Sequence, residues 1–288
     1  MNKRLVGALV TVSLLFVFCL VSGLVYISRP ANRTSVTDVA VITDTLNYES
    51  IIKLPSLSDS EKGFTCTGLT YDLKRNSFWL GNYGKTHPSS DENKQPSLVQ
   101  LDAVSGQVKS QIIIEDEGAD IQGVSYDKST DTLWYTDGKQ IINSTAEGEI
   151  IKKLDIGKYK RYKPNGVLYD MKTDSIWVLC FYNYLLNFDA QGNLLNAYRS
   201  DFMGQDHLCC DSQGRLYFSV GIDYNGEDNF VAVYSTEKNS VEYAIRVAGS
   251  YSIEGICIVD SYLYVANDGY YHDAAIPENY IAKYKFSF

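Results

Sequence analysis

Residues 121–137 read IQGVSYDKSTDTLWYTD, and this stretch decides the fold. A short apolar segment around Gly123 is followed by the polar turn Asp127–Asp131. A second apolar segment then centres on Trp134. Alternating strand residues on either side of a turn cluster are the signature of a β-hairpin. The same hairpin recurs as CTGLTYDLKRNSFWLGN from Cys66, PNGVLYDMKTDSIWVLC from Pro164, QDHLCCDSQGRLYFSVG from Gln205 and IEGICIVDSYLYVANDG from Ile253. Gly68, Gly123, Gly166, His207 and Gly255 occupy one phase of the repeat. Their spacings of 55, 43, 41 and 48 residues match the length of a four-stranded propeller blade.

Each repeat parses into four strands, A to D. Strand B carries an aromatic centre: Trp79, Trp134, Trp177, Tyr217 and Tyr264. The last repeat ends at its strand C, residues 280–286, whereas residues 48–54 read as a strand D with nothing before it. Pairing these two ends closes the ring and removes exposed edges. The expectation is an all-β, five-bladed propeller of antiparallel sheets over residues 47–288. A sixth blade would have to fit within residues 37–62, which are too few.

Residues 1–29 differ. Lys3 and Arg4 precede an apolar run over residues 5–27, long enough for a transmembrane helix. Secretory signal segments have shorter apolar cores and a small-x-small cleavage site, and no clean site is present. An uncleaved single-pass anchor with the propeller outside the cytoplasm is the favoured reading. Cleavage would leave a secreted domain. Residues 30–46 read as a polar tether.

The chain has 288 residues and a formal net charge of −9, which disfavours nucleic acid as a partner. Five cysteines lie outside the apolar segment. An odd number on strand patterns reads as buried thiols.

Two candidate sites follow from the repeat. The B-to-C loops of blades one, four and five are long, spanning residues 82–94, 221–229 and 267–279. They are neighbours in a closed ring. Long loops on a rigid scaffold concentrate binding residues. Here they offer His87, Asp223, Tyr224, Asp268, Tyr271 and His272 to a glycan, peptide or small-molecule ligand. The second candidate is the channel mouth. Thr67, Gln122, Asn165, Asp206 and Glu254 precede the repeat's Gly position, and symmetry points all five at the axis. Such an oxygen-rich ring suits either a hard divalent cation such as Ca²⁺ or a water-filled channel.

The Pro164-Asn165-Gly166 and Ile253-Glu254-Gly255 segments resemble the SMP-30/gluconolactonase-like propellers. So does Asp206-His207-Leu208 with the following Asp211-to-Tyr217 stretch. Residues 133–137, LWYTD, are similar to YWTD and NHL-type propellers, which bind partners. The first resemblance implies a divalent metal at Asn165, Asp206 and Glu254, with Gln122 beside them, in a lactonase or esterase. His207 would then be a general base next to a metal-bound water. That family has six blades and a Gly where His207 stands. The sequence therefore supports two functions, a membrane-anchored extracytoplasmic binding module and a metal-dependent hydrolase.

Overall fold

A computed structural model describes residues 41–286 apart from 56–63, 85–94, 117, 157–158, 160–162, 181–183, 200–205, 221–223, 226–228 and 239. The apolar segment 1–29 and the start of the tether lie outside the described residues, as do His87 and Asp223.

Two strands open the described chain, β1 (Val41–Leu46) and β2 (Tyr48–Lys53). Blade one holds β3 (Cys66–Asp72), β4 (Ser77–Asn82), β5 (Ser97–Asp102) and β6 (Val108–Ile113). Blade two holds β7 (Val124–Asp127), β8 (Thr132–Thr136), β9 (Gln140–Thr145) and β10 (Ile150–Asp155). Blade three holds β11 (Pro164–Asp170), β12 (Ser175–Cys180), β13 (Tyr184–Asp189) and β14 (Leu194–Arg199). Blade four holds β15 (Leu208–Cys210), β16 (Leu216–Val220), β17 (Phe230–Ser235) and β18 (Ser240–Val247). Blade five holds β19 (Ile253–Val259), β20 (Tyr262–Asp268) and β21 (Asn279–Lys285). The protein is thus an all-β propeller of five antiparallel blades.

Blade five is completed by β2, in the sheet order β19-β20-β21-β2. Ile52 pairs with Ile281 and Lys53 with Tyr280. The chain's first repeat-like strand therefore closes the ring on its last, as the broken ends of the sequence require. The expected tether is corrected in its final part. Residues 41–46 are strand β1, which lies parallel to β18 and gives blade four a fifth strand. The outer strand of a blade presents unpaired backbone groups, and β1 covers that edge.

The middle strands are buried along their whole length because a blade packs on each face. β4, β8, β12 and β16 carry no exposed residue, whereas the outer strand β6 is largely exposed. Trp134 packs with Val167, Ile176, Val178 and Phe188 where blades two and three meet. Trp79, Trp134, Trp177 and Tyr217 are all buried, and Tyr264 is half-buried. Burial of this kind contributes roughly 25 cal/mol per Å² of apolar surface. Cys66, Cys180, Cys209 and Cys257 are buried free thiols and Cys210 is half-buried.

The A-to-B turns of blades one to three share one device. Asn76, Asp131 and Asp174 adopt left-handed backbone at φ 46°, 59° and 49°. Each accepts a hydrogen bond from the strand-A tyrosine five residues earlier: Tyr71 at 2.7 Å, Tyr126 at 2.9 Å and Tyr169 at 2.7 Å. Asn and Asp tolerate this conformation better than other non-glycine residues.

Around the axis the inner strands approach closely. A Cβ on Gly123 would lie 2.5 Å from the Val167 nitrogen, and one on Gly255 would lie 2.4 Å from the Gly68 carbonyl carbon. Real contacts of a Cβ are far longer, so the repeat's glycine is a packing requirement. Blade four places His207 there instead. Its side chain crosses the axis and is 1% exposed. Nδ1 accepts a hydrogen bond from the Ile256 amide at 3.4 Å, so Nε2 carries the proton and donates to the Val124 carbonyl at 3.2 Å. One side chain braces blades two, four and five.

Candidate functional site

The site is built where the inner strands meet the long loops. Register shifts interrupt the pairing of β11 between Pro164 and Val167, and of β19 between Ile253 and Gly255. Bulges of this kind re-aim a side chain, and the two shifted segments contain Asn165 and Glu254. Asp206 stands at the same repeat position, just before β15. Asn165 donates from Nδ2 to the Asp206 carboxylate at 3.4 Å.

The loop of blade five closes over this mouth. Asp268, at the end of β20, accepts the Tyr271 amide at 3.2 Å, and Asn279 accepts the Tyr270 amide at 3.2 Å. Asn279 also donates to the Phe64 carbonyl. The Ala275 amide donates to the Tyr224 carbonyl at 2.8 Å, tying this loop to blade four. The consequence is the position of His272. Its Nε2 lies 2.7 Å from Glu254 Oε1, and its ring stacks on Tyr224 at 4.3 Å between centroids. Tyr271 meets His272 edge-on at 5.1 Å, and Tyr83 from blade one meets Tyr271 at 5.9 Å. Among the described residues, Tyr224, Asp268, Tyr271 and His272 of the loop set therefore lie with Asn165, Asp206 and Glu254 of the channel-mouth set.

Its electrostatics are dominated by burial. Burial pushes the Glu254 carboxyl up to about 8. Burial also raises Asp206 and Asp268 well above the usual carboxylate range. The charge of Glu254 pushes both the same way, and His272 opposes it. Burial lowers His272, against the pull of Asp268 and Asp206. Buried carboxyls that feel one another's charge do not all ionise near neutrality without a compensating cation. The Glu254–His272 contact joins a carboxyl raised by burial to an imidazole lowered by burial, so the two titrations are coupled.

The structure separates the expected residues into groups. Asn165, Asp206, Glu254, Asp268, Tyr224, Tyr271 and His272 come together. Gln122 does not join them, because its amide donates to Asp120 at 3.0 Å. Thr67 serves the fold and donates to the Ile121 carbonyl at 2.7 Å. His207 is corrected from candidate base to brace. It is buried, both ring nitrogens are engaged by backbone, and burial lowers it to about 4.

Tyr83 and the Asp120–Lys163 ion pair beside Gln122 were not singled out by the sequence. Lys163 belongs to the basic, aromatic stretch 157–164, GKYKRYKP, of which 157–158 and 160–162 lie outside the described residues. A separate cleft of about 1040 Å³ opens between blades one and two, lined by Ile112, Tyr135, Lys139, Ile142, Asp155 and Lys163 among others. None of the clustered carboxyls lines it.

The divalent-metal expectation can be tested on these atoms. Glu254 Oε1 bonds His272 and the Gln122 amide donates to Asp120, so two of the four expected donors have other partners in this structure. Among the described residues, no group of three or more His, Cys, Asp or Glu is arranged to hold a metal ion.

No protein-family model matches the chain, and no curated protein matches it in sequence. Solved structures do match in fold. A glutaminyl cyclase of Myxococcus xanthus superposes with a TM-score of 0.59 at 10% identity, covering 84% of this chain and 97% of the cyclase. A luciferin-regenerating enzyme superposes at 0.50 with 12% identity, covering 83% and 95%. A chain of a nidogen/laminin complex gives 0.48 at 13% identity, covering 71% and 72%. At such identities the likeness shows architecture alone, and what the chain shares with the first two is the β-propeller fold.

Proposed function

We propose that the chain is a ligand-binding propeller that seats one small polar group of a glycan, peptide or small molecule at its channel mouth. The observation that supports this most directly is the contact of His272 with Glu254 and Tyr224. It joins the loop-rich sector to the axial polar ring, so one ligand end can touch rigid inner strands and adaptable aromatic loops together. The apolar N-terminal segment supports display of the propeller outside the cytoplasm on a membrane anchor, or release if that segment is cut.

The test is a thermal-shift screen of the full chain against mono- and oligosaccharides, dipeptides and small polar metabolites. A true ligand stabilises the fold by mass action. Its shift is expected to vanish in His272→Ala and Tyr224→Ala. Shifts that persist undiminished in both variants would place binding elsewhere and refute the proposal.

A second reading is acid–base catalysis on a bound ester, lactone or amide. The Glu254–His272 pair favours it, since burial keeps the Glu254 proton on until about pH 8. In that reading Glu254 is the acid, and His272 orients it and exchanges the proton. The SMP-30-like version would add a divalent ion at Asn165, Asp206 and Glu254. His272 would have to leave Glu254 first, so no step is derived through that ion. Turnover of a lactone or ester that Glu254→Gln abolishes, with ligand affinity kept, would decide for catalysis.

A further inference from the structure

We infer that the channel-mouth site recognises a protonated primary amine on its ligand, which deepens the binding reading and rests on it. The lining supplies acceptors in excess. Asp206, Glu254 and Asp268 converge, and among the described residues none of them forms an ion pair with Lys or Arg. The nearby Lys163 is committed to Asp120. Among the described residues, one buried acceptor atom at the mouth has no hydrogen-bond partner, Asn165 Oδ1. Asn165 is 1% exposed and its amide nitrogen already reaches Asp206, so the orphan oxygen belongs to the same cluster. Buried polar atoms are normally satisfied, and an orphan at a mouth is an invitation to a ligand.

The complementary group has donors only and carries positive charge. An ammonium offers three N–H donors and no acceptor. A carboxylate or phosphate would bring further acceptors to a lining already rich in them. A hydroxyl would supply one donor and no charge. A divalent metal ion draws on several shared oxygens, whereas Glu254 Oε1 here bonds His272 and the Gln122 amide bonds Asp120. The flanking rings of Tyr83, Tyr224 and Tyr271 suit an organic cation, because aromatic faces attract one without requiring it to be stripped into a rigid shell.

The experiment compares isosteric pairs on the full chain by calorimetry at pH 7. Glycinamide is set against glycolamide, and ethanolamine against ethylene glycol. The amines are expected to bind saturably, with the hydroxyl partners weaker by about tenfold or more. Asp268→Asn keeps the acceptor used by the Tyr271 amide and is expected to weaken amine binding about tenfold. Asn165→Asp adds charge to the orphan position and is expected to tighten it, whereas damage to folding would only weaken it. Calcium chloride is expected not to displace the amine.

Equal binding of amine and hydroxyl partners, no saturable amine binding, or displacement by calcium would each overturn the inference. A ligand from the thermal-shift screen that needs His272 but shows no preference for an amine leaves the site in place and removes only the amine.

Discussion

Replacing His207 by glycine tests whether the axis is braced or merely filled. The other four blades carry glycine at this position, so repeat symmetry alone predicts a benign change. The structure predicts a large one. The ring donates to the Val124 carbonyl at 3.2 Å and accepts the Ile256 amide at 3.4 Å. Deleting it strands a buried carbonyl and a buried amide, at about 1–3 kcal/mol each. The longer Ile256 contact belongs at the low end. The emptied axial volume adds a cavity cost, so the sum is about 3–5 kcal/mol. A domain with about 5–15 kcal/mol of total stability would lose a large part of it.

The pH profile carries a second signature. His207 falls to about 4 in the fold, from an unfolded value of about 6.5. Below 6.5 the unfolded chain binds a proton that the folded chain refuses. The contribution is therefore complete above 6.5 and is lost as pH falls towards 4, by about 3 kcal/mol. Glu254, Asp206 and Asp268 act in the opposite sense over an overlapping range, because their raised values favour the fold at low pH. The difference between wild type and His207→Gly isolates the histidine. The assay is urea unfolding followed by tryptophan fluorescence from pH 4.5 to 7.5. A variant within about 0.5 kcal/mol of wild type at pH 7, or an unchanged gap across the pH series, would refute the brace.

Other outcomes follow from the same geometry. Glu254→Gln removes a carboxyl whose raised value favours folding at low pH and is lost as pH rises through about 8, so the variant should melt higher than wild type above pH 8 and show a flatter melting profile between pH 5 and 8. Asn279→Ala frees the Tyr270 amide and the Phe64 carbonyl and should cost about 1–3 kcal/mol, with faster proteolysis within residues 269–278 as the readout. Gly255→Ala puts a methyl 2.4 Å from backbone and should cost about 3 kcal/mol or more in denaturant unfolding. Removing residues 41–46 uncovers β18 without opening the ring, so the truncated chain should still melt cooperatively but aggregate more readily in light scattering.

Much of the fold was legible because a blade is a local unit. Its hairpin turns, aromatic strand centres and repeat phase are written within about 50 residues, and the unmatched ends required a closing strand. Strand β1 was not legible, because Val41–Leu46 carries three consecutive polar residues, 43–45, in place of strand alternation and gains its partner only from an edge about 200 residues away. The channel-mouth residues could be named from the repeat phase, since equal phase means equal position around an axis. Their grouping could not. Phase treats Thr67, Gln122, Asn165, Asp206 and Glu254 alike, yet Thr67 and Gln122 turn to other partners.

The amino-acid sequence by itself determined a five-bladed ring, closed by residues 48–53, and the face on which the long loops stand. It could do so because hydrophobic alternation, turn chemistry and period are properties of neighbours along the chain. Only the tertiary structure decided that His272 of the blade-five loop closes on Glu254 at the channel mouth, and that the His207 ring bonds the backbone of blades two and five. Those outcomes depend on distances between blades: how close the inner strands come, which atoms remain unpaired when they do, and which side chain reaches across the axis.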